Sequence, residues 1–170
     1  MSKHTLTLVR HSKATTSFRG SDRERPLTEA GVAQAEELGR QMKDALTSLD
    51  VALVSPAVRA QQTWQGMARG AGLTEGSMPE VKTEEQIYSG SAMAIVEAVR
   101  MGATGYNAIV VGHEPTISEA VSLIVEVGGD AAVNSGMSTG SAAVVEADKD
   151  WHEWHSHVAK LVNFVRVPHN

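Results

Sequence analysis

Three short apolar runs, at residues 5–9, 51–54 and 108–111, each end in residues that can do chemistry. Arg10-His11 follows the first, Ser55-Pro56 the second and Gly112-His113 the third. The first run alternates β-branched and apolar residues, and the other two suit strands buried on both faces. The segments between them carry helical spacing. Thr28 is an N-cap candidate ahead of Val32, Ala35, Leu38, Met42, Ala45, Leu46 and Leu49. Ser55-Pro56 predicts a helix start, because Ser caps and Pro suits the first helical position; Arg59 then falls in the first turns. That helix should end in the glycine-rich stretch 66–76. Residues 92–99 and 116–127 predict two further helices, the second stopped by Gly128-Gly129. A brief strand is expected near 81–83. Residues 141–147 and 152–158 read as two strands joined in a hairpin through Asp148-Lys149-Asp150. Strands alternating with amphipathic helices imply a three-layer α/β/α sandwich whose central sheet is mainly parallel, made mixed by an antiparallel edge. No repeat or linker divides the chain, so one domain over residues 1–170 is expected.

Composition narrows the function. At 170 residues the chain can bury a sizeable core. It has no cysteine, which excludes disulfides, thiolate metal sites, iron–sulfur clusters and a cysteine nucleophile. A formal charge of −5 argues against general binding to nucleic acid or anionic membrane, and 4% aromatic residues are too few for a base-stacking platform. The first residues lack the long apolar run of a secretory leader or membrane span, so a cytoplasmic protein is expected. Against that acidic background, residues 10–25 hold Arg10, Lys13, Arg19, Arg23 and Arg25 but only Asp22 and Glu24, a local excess of +3.

Ligands of open α/β sheets bind beyond the carboxyl ends of the strands. If the three apolar strands are neighbours, Arg10, His11, Arg59 and His113 converge on one rim. Guanidinium groups match phosphate oxygens bidentately, and a helix N-terminus favours the same anion. Neutral imidazole is a competent nucleophile near physiological pH. Such a rim would hold a phosphoryl group, let His11 attack phosphorus in line, and stabilise the equatorial oxygens with Arg10, Arg59 and His113. Positioning and charge carry such a transfer, so neither a metal nor another cofactor is expected.

These residues also fall into a known pattern. Leu8-Val9-Arg10-His11-Ser12-Lys13-Ala14 resembles the signature of the histidine phosphatase superfamily, the phosphoglycerate mutase-like fold. Ser55-Pro56-Ala57-Val58-Arg59-Ala60-Gln61-Gln62-Thr63 resembles its second motif and Val111-Gly112-His113-Glu114-Pro115 its third. Arg25-Pro26-Leu27-Thr28 and Ser138-Thr139-Gly140 also fit, in order along nearly the whole chain. The short length and the Arg-His-Ser-Lys start are most similar to SixA-type phosphohistidine phosphatases. The resemblance implies that His11 is transiently phosphorylated, that Arg10, Arg59 and His113 form the phosphate pocket, and that Arg25 and Thr139 are secondary substrate-binding residues. Two positions depart from the pattern: Ser12 stands where Gly is commonest, and Glu114 where Asn is frequent.

A phosphate-ester hydrolase of this kind needs an acid to protonate a departing alkoxide. Glu84 and Glu85 are the candidates, with Asp22 and Glu114 behind them; a true acid should have its pKa raised by desolvation. A pocket without an assured acid favours phosphohistidine, whose imidazole leaves readily, or activated aryl phosphates. The expected partner is therefore a phosphorylated protein or a small phosphorylated substrate, with no nucleic acid and no membrane. The alternatives are a broad small-molecule phosphomonoesterase and a non-catalytic phospho-ligand binding module. Mutase activity would call for insertions that the chain lacks. In the tail, His155 and His157 would share one face of a strand and His152 the other, which makes no metal site. Trp151 and Trp154 read as packing residues.

Overall fold

The computed structural model describes residues 3–169; Met1, Ser2 and Asn170 lie outside the described residues. Twelve helices and strands follow the apolar patterning: β1 (His4–Arg10), α1 (Glu29–Gln41), α2 (Lys43–Thr47), β2 (Val51–Val54), α3 (Val58–Gly70), β3 (Glu80–Thr83), α4 (Glu85–Ser89), α5 (Ala92–Gly102), β4 (Asn107–Gly112), α6 (Thr116–Ile124), β5 (Ser141–Ala147) and β6 (Lys160–Arg166). The strands form one sheet in the order β3-β2-β4-β1-β5-β6. β1 to β4 run parallel, whereas β5 pairs antiparallel with both β1 and β6. The architecture is thus the expected α/β sandwich with a mixed sheet.

Alternation along the central strands divides the core in two. Leu6, Leu8, Leu53 and Val110 face α5 and α6, where they meet Ile95, Val99, Ile117 and Val121. Val9, Ala52, Val54, Ile109 and Val111 face the opposite layer, meeting Leu38 of α1 and Trp64 and Met67 of α3. α1 and α3 approach closely at Gly39, where a Cβ would run into the Met67 carbonyl. Thr28 caps α1 as expected, accepting from the Gly31 N–H. The apolar face continues past a break at Met42, because the Met42 N–H still bonds Leu38 and the Leu46 N–H bonds Met42. Among the described residues, no helix is long and apolar enough to cross a membrane.

Three expectations need correction. The helix after β2 starts at Val58, not at Ser55-Pro56. The Ser55 N–H bonds the Val111 carbonyl, so the parallel ladder runs on through Ser55, and Ala57 is still extended. α6 stops at Ile124 rather than 127, because the returning chain takes its last carbonyls: His157 N–H bonds Leu123 and Ala159 N–H bonds Ile124. The expected strand 152–158 is a 3-10 turn, Trp151–Glu153, followed by a loop; β6 begins only at Lys160. Trp151 and Trp154 explain this. Both are buried in the same core cluster with ring centroids 5.0 Å apart, and a spacing of three puts them on one side of a turn but on opposite faces of a strand.

Candidate active site

β2, β4 and β1 are adjacent, so their carboxyl ends form one rim, with Arg10 level with Gly112 and Val54 level with Val111. The chain leaves each end still hydrogen-bonded to its neighbour: His11 N–H to Gly112 O, Ser55 N–H to Val111 O, Glu84 N–H to Val54 O. The His11 and His113 ring centroids are 5.2 Å apart.

His11 is 8% exposed, and its Nδ1 lies 2.7 Å from the Ser12 carbonyl oxygen. A carbonyl only accepts, so Nδ1 carries the hydrogen and Nε2 keeps the lone pair. Burial lowers its pKa to about 4, helped by Arg59, Arg10 and Arg25 and opposed by the Ser12 bond. The ring is therefore neutral well below pH 7, with its lone pair on Nε2. His113 has Nε2 2.7 Å from Ser55 Oγ, which also accepts the Ala57 N–H. The Ser55 hydroxyl can donate to or accept from His113 Nε2; in the tautomer where it donates, Nδ1 is the ring's N–H. Burial, followed by His11 and Arg59, lowers the His113 pKa to about 3.

The two arginines are anchored through their terminal nitrogens. Arg10 Nη1 donates to Met137 O at 2.8 Å. Arg59, 5% exposed in the first turn of α3, donates from Nη1 to Asp22 O at 2.7 Å and from Nη2 to Asp22 Oδ2 at 2.9 Å. Among the described residues, the buried side-chain polar atoms without a hydrogen-bond partner are Arg10 Nε, Arg59 Nε, His113 Nδ1 and Ser12 Oγ. All four belong to the rim. Each unpaired buried donor costs about 1–3 kcal/mol, so the rim is matched to an acceptor-rich, anionic group.

Of the other residues singled out from sequence, Arg25 joins through Asp22: it donates to Asp22 Oδ1 at 3.1 Å and to the Thr15 carbonyl at 2.9 Å. Thr139 gives its backbone carbonyl to Gln34 Nε2, and it lines a separate cavity of about 250 Å³ with Gln34 and Arg166. The candidate carboxylates lie in different surroundings. Glu85 is exposed and ion-paired with Arg23, which holds its pKa below the usual carboxylate range. Glu84 Oε1 lies beside Gly102, at the end of α5. Asp22 is held well below the usual range by the Tyr88 hydroxyl first and by Arg59 and Arg25. Glu114 is structural: Oε1 accepts the Ser118 N–H at 2.8 Å, and Oε2 accepts Ser118 Oγ at 2.8 Å and the Met137 N–H at 3.0 Å. It thereby ties the start of α6 to the loop whose Met137 carbonyl holds Arg10.

Further supports carried no assigned role in the sequence reading. Thr63 Oγ1 accepts the Ser12 N–H and donates to the Arg59 carbonyl, fastening the β1 end to α3. Gln34 accepts the Lys13 N–H and donates to Thr139 and Val167. Tyr88 meets the His113 ring edge-on at 5.6 Å. In the tail, His152 sits in the 3-10 turn, not on a strand; with Asp150 and Glu153 it forms an exposed group whose donor atoms lie within 4.8 Å of one another.

The fold and the motif-bearing segments have counterparts among known proteins. The profile of the histidine phosphatase superfamily (branch 1) matches residues 6–87, which span the Arg10-His11 and Arg59 motifs. An uncharacterized protein of Mycobacterium tuberculosis is 29% identical over 162 residues, covering 92% of this chain and 98% of its own. A protein designated phosphohistidine phosphatase SixA from Nakamurella multipartitia superimposes with a TM-score of 0.85 at 25% identity, covering 98% of both chains. Its namesake from Agrobacterium tumefaciens gives 0.77 at 25% identity, over 96% of this chain and 97% of that one.

Proposed function

Because this chain belongs to the histidine phosphatase superfamily, we propose that its phosphatase chemistry runs through a covalent phosphohistidine on His11, with protein phosphohistidine as the substrate. The observation that carries the reading is the meeting of one neutral imidazole lone pair, His11 Nε2, with two unpaired buried guanidinium N–H donors, Arg10 Nε and Arg59 Nε, and the unpaired His113 Nδ1, which donates in the tautomer whose Nε2 accepts from Ser55. His11 Nε2 attacks phosphorus while the donors take the equatorial oxygens, where charge develops. Water then attacks the phosphorylated His11 and releases phosphate. The guanidinium and imidazole donors supply the charge stabilisation, so the reaction is proposed to need no metal.

Substrate class follows from the acids. Asp22 and Glu85 have pKa values shifted down, the wrong direction for protonating an alkoxide. A leaving imidazole needs no such proton when the substrate ring is protonated on its other nitrogen, as it can be near neutral pH, because it then departs as neutral imidazole. The two SixA proteins at 25% identity are designated phosphohistidine phosphatases, which supports the same substrate.

The test is hydrolysis of free phosphohistidine, a phosphohistidyl peptide, p-nitrophenyl phosphate and an alkyl phosphate, each with and without chelator. The expected result is turnover of the phosphohistidine donors, weaker turnover of the aryl ester, little of the alkyl ester, and no effect of chelator. Efficient alkyl ester hydrolysis with phosphohistidine ignored would replace this reading with a general phosphomonoesterase. Oxyanion binding without turnover of any donor would point to a binding module.

A further inference from the structure

The site is ordered from a buried inner end to an exposed outer end. His11 is 8% exposed, the His113 ring lies 5.2 Å from it, and the Tyr88 ring meets His113 at 5.6 Å. The Tyr88 hydroxyl donates to Asp22 Oδ2 at 2.9 Å, and the Asp22 side chain is 53% exposed. In-line displacement sends the leaving atom away from the nucleophile. With His11 buried at the inner end, a leaving group opposite it lies toward the exposed end, the end that carries Asp22.

Despite its exposure, Asp22 is held from three segments. Oδ2 accepts Arg59 Nη2 and Tyr88; Oδ1 accepts Arg25; the main-chain carbonyl accepts Arg59 Nη1. An Arg23 guanidinium 4.7 Å from the Tyr88 centroid covers that ring. Oδ2 carries two short bonds, whereas Oδ1 meets Arg25 alone, at 3.1 and 3.4 Å. The 3.4 Å contact is the longest of the four, so an incoming N–H can take that place on Oδ1 while Arg25 keeps its 3.1 Å bond. A carboxylate so surrounded by donors can accept but has no hydrogen to give.

We infer that Asp22 is the residue that reads the leaving group, its Oδ1 accepting the ring N–H of the imidazole that departs from phosphohistidine. This rests on the phosphohistidine reading above. As the bond from His11 Nε2 to phosphorus forms, the substrate's P–N bond breaks and its electron pair returns to that ring nitrogen. In the protonated substrate ring the other nitrogen carries a hydrogen, keeps it throughout and donates it as a hydrogen bond to Asp22, so neutral imidazole departs and no proton passes to the carboxylate. An alkoxide or phenoxide has no hydrogen to offer, so Asp22 favours nitrogen leaving groups bearing an N–H. Arg59 Nε and Arg10 Nε remain for the phosphoryl oxygens.

The test is the ratio of kcat/KM for free phosphohistidine to that for p-nitrophenyl phosphate, in the unmodified protein, Asp22→Asn and Asp22→Ala. Asp22 also tethers Arg59, and disturbing that tether affects both donors alike, so the ratio isolates the leaving group. The ratio should fall about tenfold or more in Asp22→Ala, the value of one charge-assisted hydrogen bond, and less in Asp22→Asn, which keeps a neutral acceptor. Equal losses on both donors would overturn the inference and leave Asp22 a tether. A gain on both donors would also overturn it, making Asp22 a competitor for Arg59. No turnover of either donor by the unmodified protein would overturn the phosphohistidine reading itself.

Discussion

Replacing Glu114 with Ala removes the acceptor of three hydrogen bonds at once. Its carboxylate takes Ser118 N–H, Ser118 Oγ and Met137 N–H, at 2.8, 2.8 and 3.0 Å. Ser118 and Met137 are 7% and 2% exposed, so water cannot readily reach the abandoned donors. Hydrogen bonds to a charged acceptor contribute about 1.5–3 kcal/mol each. Glu114 itself is half-buried, and bonds sharing one carboxylate do not add, so a loss of about 3 kcal/mol is expected. For a domain of this size that is a fall in Tm of roughly 6–12 °C. Urea denaturation should show a lower midpoint with an unchanged slope. Phosphate affinity should fall too, because the Met137 carbonyl that anchors Arg10 Nη1 loses its support. Glu114→Gln should lie between, since its amide can accept one N–H but sets its own NH₂ against another donor. A Glu114→Ala stability within about 0.5 kcal/mol of the unmodified protein would refute the reasoning, showing that the 133–138 loop is held in place without this carboxylate.

Three further outcomes are expected. The unfolded chain takes protons on His11 and His113 near pH 6.5, whereas the folded chain takes them only near about 4 and about 3. Their contribution is thus fully present above pH 6.5 and lost as pH falls from there toward about 4, on the order of 3 kcal/mol per imidazole; a flat midpoint across that window in urea melts would contradict the buried neutral pair. Glu85→Gln should keep kcat within about twofold and leave the urea midpoint nearly unchanged, because its exposed pair with Arg23 is a weak surface contact; a large loss of kcat would identify Glu85 as an acid. Gly39→Ala should destabilise by about 1–3 kcal/mol, since the new methyl meets the Met67 carbonyl and forces α1 and α3 apart; an unchanged melt would show that the helices can separate freely.

What was legible in the sequence is what depends on local pattern. β1, β2 and β4 declare themselves as apolar runs, so the meeting of Arg10, His11, Arg59 and His113 was foreseeable on the condition that these strands are neighbours; that β4 lies between β2 and β1 is a long-range fact the sequence does not display. Thr28 before a helical stripe was equally readable. The tail misled because its strand pattern competed with two tryptophans spaced for a turn, and burial of both rings won. The helix after β2 started late because Ser55 was claimed by the ladder and by His113, neither visible from Ser-Pro alone. Asp22, Tyr88, Gln34 and Glu114 act through partners up to 133 residues away, and no short-range period marks them. Asp22 and Glu114 stood out only as carboxylates among the acid candidates, and Glu114 also as an acid four residues before a serine at a helix start.

The central claim is that His11 Nε2 becomes phosphorylated, and intact-protein mass after a rapid alkaline quench, which preserves phosphohistidine, tests it most directly. The unmodified protein and His11→Ala are each mixed with free phosphohistidine and, separately, with p-nitrophenyl phosphate. The account predicts a transient adduct of one phosphoryl group in the unmodified protein, formed faster from phosphohistidine, and none in His11→Ala. Phosphate release without any adduct, or an adduct that persists in His11→Ala, would contradict it.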